Sequence, residues 1–292
     1  DITDLLYKTN LNKEDLITLL NCRDSDEENL FKRSEIIRNE TLGNGVYMRG
    51  LIEISNSCIK DCLYCGIRNS NKETTRYILS DEEVINAARF AFENDYGSIV
   101  LQGGEQRDSA FIKRIEGLLK KIKQLSNDKL GVTLSLGEQT ADTYRRWFEN
   151  GAHRYLLRIE TTNEQLYKKI HPDNKLHDFH SRLNCLNLLQ ENGYQTGTGV
   201  MIGLPFEETG DLADDLLFFK TMDIDMVGMG PYLEHHNTPL WEYRHLLLPQ
   251  TERLRLALHM VSCLRLIMPD INIAATTALQ AIEPHGREKA LT

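Results

Sequence analysis

Three cysteines stand within eight positions, Cys58, Cys62 and Cys65, in a C-x3-C-x2-C run. Three thiolates on one short loop can each hold one iron of a cubane cluster. Zinc is the competing reading, and a structural zinc usually takes four closed ligands. No fourth Cys or His stands close in sequence to complete such a set. A three-cysteine loop leaves one iron without a protein ligand, open to a small chelating molecule. Polar neighbours and Lys60 favour the thiolate form. The remaining cysteines, Cys22, Cys185 and Cys263, are scattered, and the last two lie in apolar helical patterns. All three read as small core residues. A disulfide scaffold would be short and loop-rich, which this chain is not.

The elements that must carry this loop follow from composition and pattern. The chain has 292 residues, with 34 Lys and Arg against 43 Asp and Glu, for a net charge of −9. That balance disfavours a protein built to grip phosphate backbones. No apolar run approaches the ~18 residues of a spanning helix, and no secretory signal opens the chain. The first forty residues read as helices, with Asn12 capping Lys13–Leu20 and Asp26 capping Glu27–Asn39. Strands are expected at Val46–Ile54, Ser98–Gln102, Gly131–Leu136, Arg154–Glu160, Gln195–Ile202, Asp225–Met229 and Asn272–Ala275. Helices are expected between them at Asp81–Asn94, Ser109–Leu125, Thr140–Asn150, Phe179–Glu191, Asp211–Met222 and Glu252–Leu266. Alternation of this kind implies parallel strands with right-handed crossovers. The fold class is therefore α/β, a (β/α) TIM-type barrel with seven strands visible and an eighth missing at the C-terminus. Residues 1–45 form a helical segment packed on a barrel of residues 46–292.

Several of these strands carry polar residues toward their C-terminal ends. Leu156, Arg158 and Glu160 share one face, and Tyr155, Leu157 and Ile159 the other. Thr133 and Ser135 share a face, and Thr276 and Thr277 end the last strand. Buried parallel strands normally read as apolar runs, so these polar residues point into a barrel mouth, where such folds carry their active sites. His235–His236 reads as a solvated loop, Gly286–Glu288 as a short loop, and the acids of Asp211–Asp215 as a solvated helix start.

The ending Leu63-Tyr64-Cys65 makes the cysteine loop resemble the signature of the radical S-adenosylmethionine (SAM) enzymes. That resemblance implies a 4Fe-4S cluster on Cys58, Cys62 and Cys65, with SAM chelated at the open iron. It implies that Tyr64 sits beside the adenine and that Gly103, Gly104 and Glu105 meet the SAM amino group. The runs Thr133-Leu-Ser-Leu-Gly-Glu138, Arg154–Thr161, Arg182–Leu186, Gly199–Pro205, Asp225–Pro231 and Ala275–Thr277 narrow the likeness. Together they resemble the HydE-type maturases of FeFe-hydrogenase, related to biotin synthase and methylornithine synthase. From that likeness Glu160 would hold the SAM ribose and Arg182 its carboxylate. Ser135, Met201, Pro231 and Leu233 would line the SAM pocket. Arg49, Thr133, Arg158, Thr276 and Thr277 would form an anion-binding substrate cavity.

The implied activity is reductive cleavage of SAM to a 5′-deoxyadenosyl radical, acting on a small cysteine-bound iron carbonyl and cyanide precursor in the cytoplasm. Sister hydrogenase maturases and an electron donor would be its partners, with no nucleic acid and no membrane. Two alternatives stand beside it. A biotin synthase- or methylornithine synthase-like enzyme would act on an amino acid or cofactor precursor, and sulfur insertion would call for a second cluster. A non-enzymatic iron–sulfur carrier would need no adenine pocket. The stretch Lys175–Phe179 looks like an insertion ahead of Arg182.

Overall fold

The computed structural model describes residues 2–291. In chain order its strands are β1 (Arg49–Ser55), β2 (Ser98–Gly103), β3 (Gly131–Ser135), β4 (Ala152–Leu156), β5 (Gln195–Thr198), β6 (Met201–Ile202), β7 (Met226–Val227), β8 (Gly230–Pro231) and β9 (Asn272–Ile273). The helices are α1 (Ile2–Leu5), α2 (Lys13–Leu20), α3 (Asp24–Leu42), α4 (Asp81–Glu93), α5 (Ser109–Leu125), α6 (Ala141–Glu149), α7 (Glu164–Ile170), α8 (Phe179–Glu191), α9 (Thr209–Thr221), α10 (Gln250–Ile267), α11 (Thr277–Ile282) and α12 (Gly286–Leu291).

Seven strands form one parallel sheet in the order β1-β2-β3-β4-β5-β7-β9. It curls into an open barrel with β1 and β9 at its edges. β6 and β8 pair separately, Met201 with Gly230 and Ile202 with Pro231. Register carries one row of residues across five strands: Leu51, Val100, Thr133, Arg154 and Gln195. Strand alternation puts Ile52, Ile54, Ile99, Leu101, Val132, Leu134 and Tyr155 against the helices, where all are buried. The row of Leu51 faces the concave interior, which explains why an apolar strand residue is 52% exposed.

The helices begin where the sequence supplies caps. Asn12 and Asp15 close a capping box on α2, and Ser80 and Glu83 one on α4. Helix α3 starts earlier than expected: Arg23 occupies its N-cap without a side-chain bond, and Asp26 lies inside the first turn. Val46, Tyr47 and Met48 are exposed and precede β1 rather than belonging to it. The expected run Gln195–Ile202 divides into β5 and β6, because its second part leaves the main sheet to pair with β8. Gly286–Glu288 opens helix α12 rather than a loop.

α2 packs on α9 and α10, and α3 on α10. Leu16, Leu19, Leu20 and Leu30 join the same core as the barrel strands. His259 of α10 fastens this contact, with Nδ1 2.9 Å from the Leu20 carbonyl and Nε2 2.7 Å from Glu27.

Candidate active site

The cysteine loop leaves the C-terminal end of β1. Backbone N–H groups of Lys60 and Glu105 point at the Cys58 sulfur, at 3.4 and 3.3 Å. The second donor is available because Gly104 lets the turn after β2 lie on the loop. A Cβ at Gly104 would fall 2.2 Å from the Ser57 carbonyl oxygen. Burial pushes the Cys62 thiol up to about 12, with Arg182 and Lys60 pulling the other way. Burial raises the Cys65 thiol too. Among the described residues, no three His, Cys, Asp or Glu side chains are placed to hold a single metal ion, as a zinc site requires. A cubane asks for the opposite, one thiolate per iron. A coordinating thiol is deprotonated by its metal, so one buried and two half-buried thiols on a single loop, with two N–H donors aimed at the Cys58 sulfur, fit the cluster.

Beneath the loop lies a group of charges that joins Lys60, Glu105 and Arg182, which sequence reasoning gave a role, to Arg107 and Glu138, which it did not. Glu138, just past β3, is buried and touches three cations. Lys60 Nζ donates to its Oε1 at 2.9 Å, Arg107 Nη2 to its Oε2 at 2.7 Å, and Arg182 Nε stands 2.8 Å from Oε1. Arg107 also reaches Glu105 Oε1 at 2.5 Å. Gly137 has φ +78°, and a Cβ there would strike the Glu105 carboxylate at 2.3 Å, so this turn requires glycine. Burial works against the Glu138 carboxylate, yet Arg182 and Lys60 prevail and hold it below the usual carboxylate range. Arg182 is therefore no surface helix arginine; it is buried on α8 and close enough to Cys62 to favour its thiolate.

The stretch Lys175–Phe179 docks on the same loop. Lys60 Nζ donates to the Leu176 carbonyl, and the Asp61 N–H donates to His177 Nε2 at 2.9 Å. Burial, with Lys60 beside it, pushes His177 down to about 4, so Nε2 is a bare acceptor. His171 behaves alike. Its Nδ1 lies 2.9 Å from the Tyr167 carbonyl and so carries the hydrogen. Burial pushes the ring to about 3, leaving Nε2 to accept from the Tyr64 hydroxyl at 3.3 Å. Tyr167 stacks on His171 at 3.9 Å between centroids.

Tyr64 also borders a cavity of about 320 Å³, lined further by Arg158, Glu160, Met201, Pro231, Leu233, Thr276 and Thr277. Arg158 Nη2 lies 3.0 Å from Glu160 Oε2 and donates to the Val200 carbonyl at 2.8 Å. Glu160 has φ +70°, unusual for a residue with a Cβ. Two backbone bonds hold it there: its N–H donates to Gly199, at 3.0 Å, and its carbonyl accepts from Met201, at 3.1 Å. Thr276 donates to the Met229 carbonyl at 3.2 Å.

Not every predicted residue joins this cavity. Gly103, Gly104, Glu105 and Arg182 lie on the side of the cysteine loop. Ser135 ends β3 outside the cavity lining. Arg49 opens β1 at the far end of the barrel, where its guanidinium lies 3.1 Å from Met226 Sδ. Burial and the neighbouring Arg154 lower the Arg49 pKa. Thr133, the register partner of Arg154, is fully buried and its Oγ1 has no partner. A larger cavity of about 770 Å³ opens between α3, α10 and α12, remote from the cysteines.

At the start of α9, Asp211 closes a capping box and Asp214 is exposed, as expected of a solvated helix start, but Asp215 departs from that reading. Asp215 is fully buried, and its Oδ1 accepts from the Thr162 N–H at 2.7 Å and hydroxyl at 2.6 Å. Its Oδ2 has no partner, and neither has Glu207 Oε1. Burial raises Asp215 to about 7, against the Thr162 bonds, and raises Glu207 well above the carboxylate range with help from Asp215. The His235–His236 rings stack on one another in an exposed loop. Cys22, Cys185 and Cys263 are buried free thiols.

The radical SAM superfamily model matches residues 52–219. The FeFe-hydrogenase maturase subunit HydE of Thermotoga maritima is 43% identical over 293 aligned positions, covering all of this chain and 80% of that protein. The 3-methylornithine synthase of Methanosarcina acetivorans is 27% identical over 94% of this chain and 75% of its own length. Among solved structures, methylornithine synthase (PylB) superposes with a TM-score of 0.84 at 24% identity, covering 100% of this chain and 84% of that one. The maturase HydG from Carboxydothermus hydrogenoformans gives 0.84 at 21% identity, over 99% of this chain and 68% of that chain. At such identities the superpositions show the barrel fold alone.

Proposed function

The chain belongs to the radical SAM superfamily, in its HydE-type branch, and we propose that it matures FeFe-hydrogenase by acting on a small cysteine-bound iron carbonyl and cyanide complex. It is a SAM-dependent enzyme whose family uses a 4Fe-4S cluster. When bound, the cluster supplies the electron that cleaves the SAM sulfonium to give a 5′-deoxyadenosyl radical.

The chain's own residues divide the remaining work. Cys58, Cys62 and Cys65 hold the cluster. Gly103, Gly104 and Glu105 bring backbone close to the loop for the SAM amino group, and Arg182 offers its guanidinium to the carboxylate. Tyr64, oriented by His171, offers its ring to the adenine; Glu160 holds the ribose; Ser135, Met201, Pro231 and Leu233 give the apolar and hydroxyl surroundings. Arg158, Thr276 and Thr277 receive the anionic substrate. Arg49 and Thr133, with Arg154, extend the same cation-and-hydroxyl chemistry deeper into the interior. Sister maturases of the HydG kind and an electron donor are its proposed partners.

One observation carries this reading: Tyr64 and Glu160, the SAM residues, share a single cavity with Arg158, Thr276 and Thr277, the anion residues. A pocket joining a cofactor site to a cationic, hydroxyl-lined recess suits a radical delivered to an anion. The test is anaerobic reconstitution with iron and sulfide, then dithionite and SAM. The expected result is 5′-deoxyadenosine, absent from Cys62→Ala and faster with the cysteine-bound iron complex. A cluster that forms without deoxyadenosine production returns the carrier reading. SAM cleavage indifferent to the iron complex removes the substrate assignment.

A further inference from the structure

The charge group beneath the cysteine loop has a composition that the reading above does not use. Three cations, Lys60, Arg107 and Arg182, face two carboxylates, Glu105 and Glu138, leaving one positive charge in excess. Lys60, Glu105 and Glu138 have side chains only 3–5% exposed, so water screens their charges weakly. Lys60 stands between Cys58 and Cys62, two of the three iron ligands, and its own N–H points at the Cys58 sulfur. The Glu105 N–H points at the same sulfur, at 3.3 Å, so both the cation and the acid of this pair are anchored by backbone to a cluster ligand. Glu138 alone touches all three cations.

Resting on the cluster assignment above, we propose that Glu138 is a positioning residue that sets the cluster's reduction potential by fixing the positive charge left uncompensated under the cysteine loop. Reduction by an external one-electron donor adds one negative charge at the sulfur side of this group. A surplus of positive charge nearby welcomes that electron, and a carboxylate resists it. Glu138 therefore does two opposed things. It gathers Lys60, Arg107 and Arg182 on one carboxylate under the loop, and it cancels part of their field. Neutralising the acid while keeping its shape, in Glu138→Gln, doubles the surplus and raises the potential. Neutralising a cation, in Lys60→Met, abolishes the surplus and lowers it.

This pairing of signs separates electrostatics from damage. The full chain and its variants are reconstituted anaerobically, iron and sulfide are counted, and the cluster is titrated with dithionite and mediators without SAM. The electron paramagnetic resonance signal of the reduced cluster is the readout. The expected result is a rise of about tenfold in the reduction equilibrium for Glu138→Gln, about 59 mV for one electron, and a similar fall for Lys60→Met. The double variant Lys60→Met/Glu138→Gln, which restores the charge count, returns to within a few-fold of the unaltered chain. Should either single variant fail to load, Arg107→Gln, whose side chain is 38% exposed, carries the test and shifts the potential down. Shifts of one common sign, or none in any loaded variant, overturn the inference and leave the cluster assignment standing. Failure of the unaltered chain to form a reducible cluster overturns both.

Discussion

Two buried acid groups lie on either side of the barrel mouth and are built on opposite plans. Beside β1 and β3, Glu138 is ringed by Lys60, Arg107 and Arg182, which hold it ionised. Beside β5 and β6, Glu207 and Asp215 act on each other and form no ion pair among the described residues, each retaining one oxygen without a partner. The first plan fixes a charge pattern that ordinary pH does not alter. The second stores protons and titrates. The cluster side needs constant electrostatics under a redox centre, whereas the cavity side holds the segments after Glu160 and Met201 through groups that exchange protons.

The sharpest way to break this contrast is to remove the hub of the paired side. Glu138→Ala leaves three buried cations without their shared carboxylate. Removing one partner of a buried ion pair costs about 3–5 kcal/mol. Thermal melting should drop by roughly 10 °C, far more than for Glu138→Gln, which keeps hydrogen-bonding atoms in place. Equal melting of Glu138→Ala and the unaltered chain would remove the hub.

The cavity side should answer through substrate rather than stability. Arg158 is 30% exposed and, among the described residues, bonds to Glu160 and the Val200 carbonyl. Arg158→Met should leave melting nearly unchanged and SAM cleavage without substrate intact. The KM for the anionic iron complex should rise about a hundredfold, as loss of a charge-assisted bond of roughly 1.5–3 kcal/mol implies. A fall in kcat alone, with KM unmoved, would give Arg158 a different task.

The titrating plan predicts a pH dependence of stability. In the folded chain Asp215 keeps its proton to about 7, whereas the unfolded chain releases it near 3.8. Between those values the folded state binds more protons, so stability falls as pH rises. The contribution is fully present below the unfolded value and is lost as pH climbs through about 7. Asp215→Asn keeps the oxygen that accepts from Thr162 and cannot ionise. It should flatten the fall in melting temperature between about pH 5 and 7.5, recovering about 2 kcal/mol, while Glu207 retains part of the slope. A slope identical to that of the unaltered chain would show that Asp215 is ionised throughout.

What sequence made legible follows the same division. Helix periodicity placed α2, α5 and α8 at their observed bounds, because each buries one apolar face in the core. The cysteine loop was legible because its three ligands sit in one short stretch. Glu138, Arg107, His171 and His177 were not, since they come from four different loops or helix ends and acquire meaning only when the barrel closes around them. Glu138 ended a run already noted, and Lys60 stood inside the cysteine loop, yet neither position names its partner. The strands β6 to β9 were blurred for another reason: each is two residues long, too short for a period of two to show. Arg49 was placed with Arg158 by the family resemblance, and β1 sets it at the opposite end of the barrel from the cavity of Arg158.

The smallest expected effect sits where the two plans meet. Tyr64 follows Cys62 in the loop and borders the cavity, and its hydroxyl is held by His171 Nε2. That acceptor exists only because the His171 hydrogen is committed to the Tyr167 carbonyl. Tyr64→Phe removes one neutral hydrogen bond, worth about 1 kcal/mol, while keeping the ring. SAM affinity, read by calorimetric titration of the reconstituted chain, should weaken about fivefold. His171→Phe should weaken it by a similar factor, and the double variant should be no worse than either alone, since both remove the same bond. Losses that multiply instead would mean that His171 and Tyr64 meet SAM independently, and the cavity would then be shaped from two sides rather than through one oriented ring.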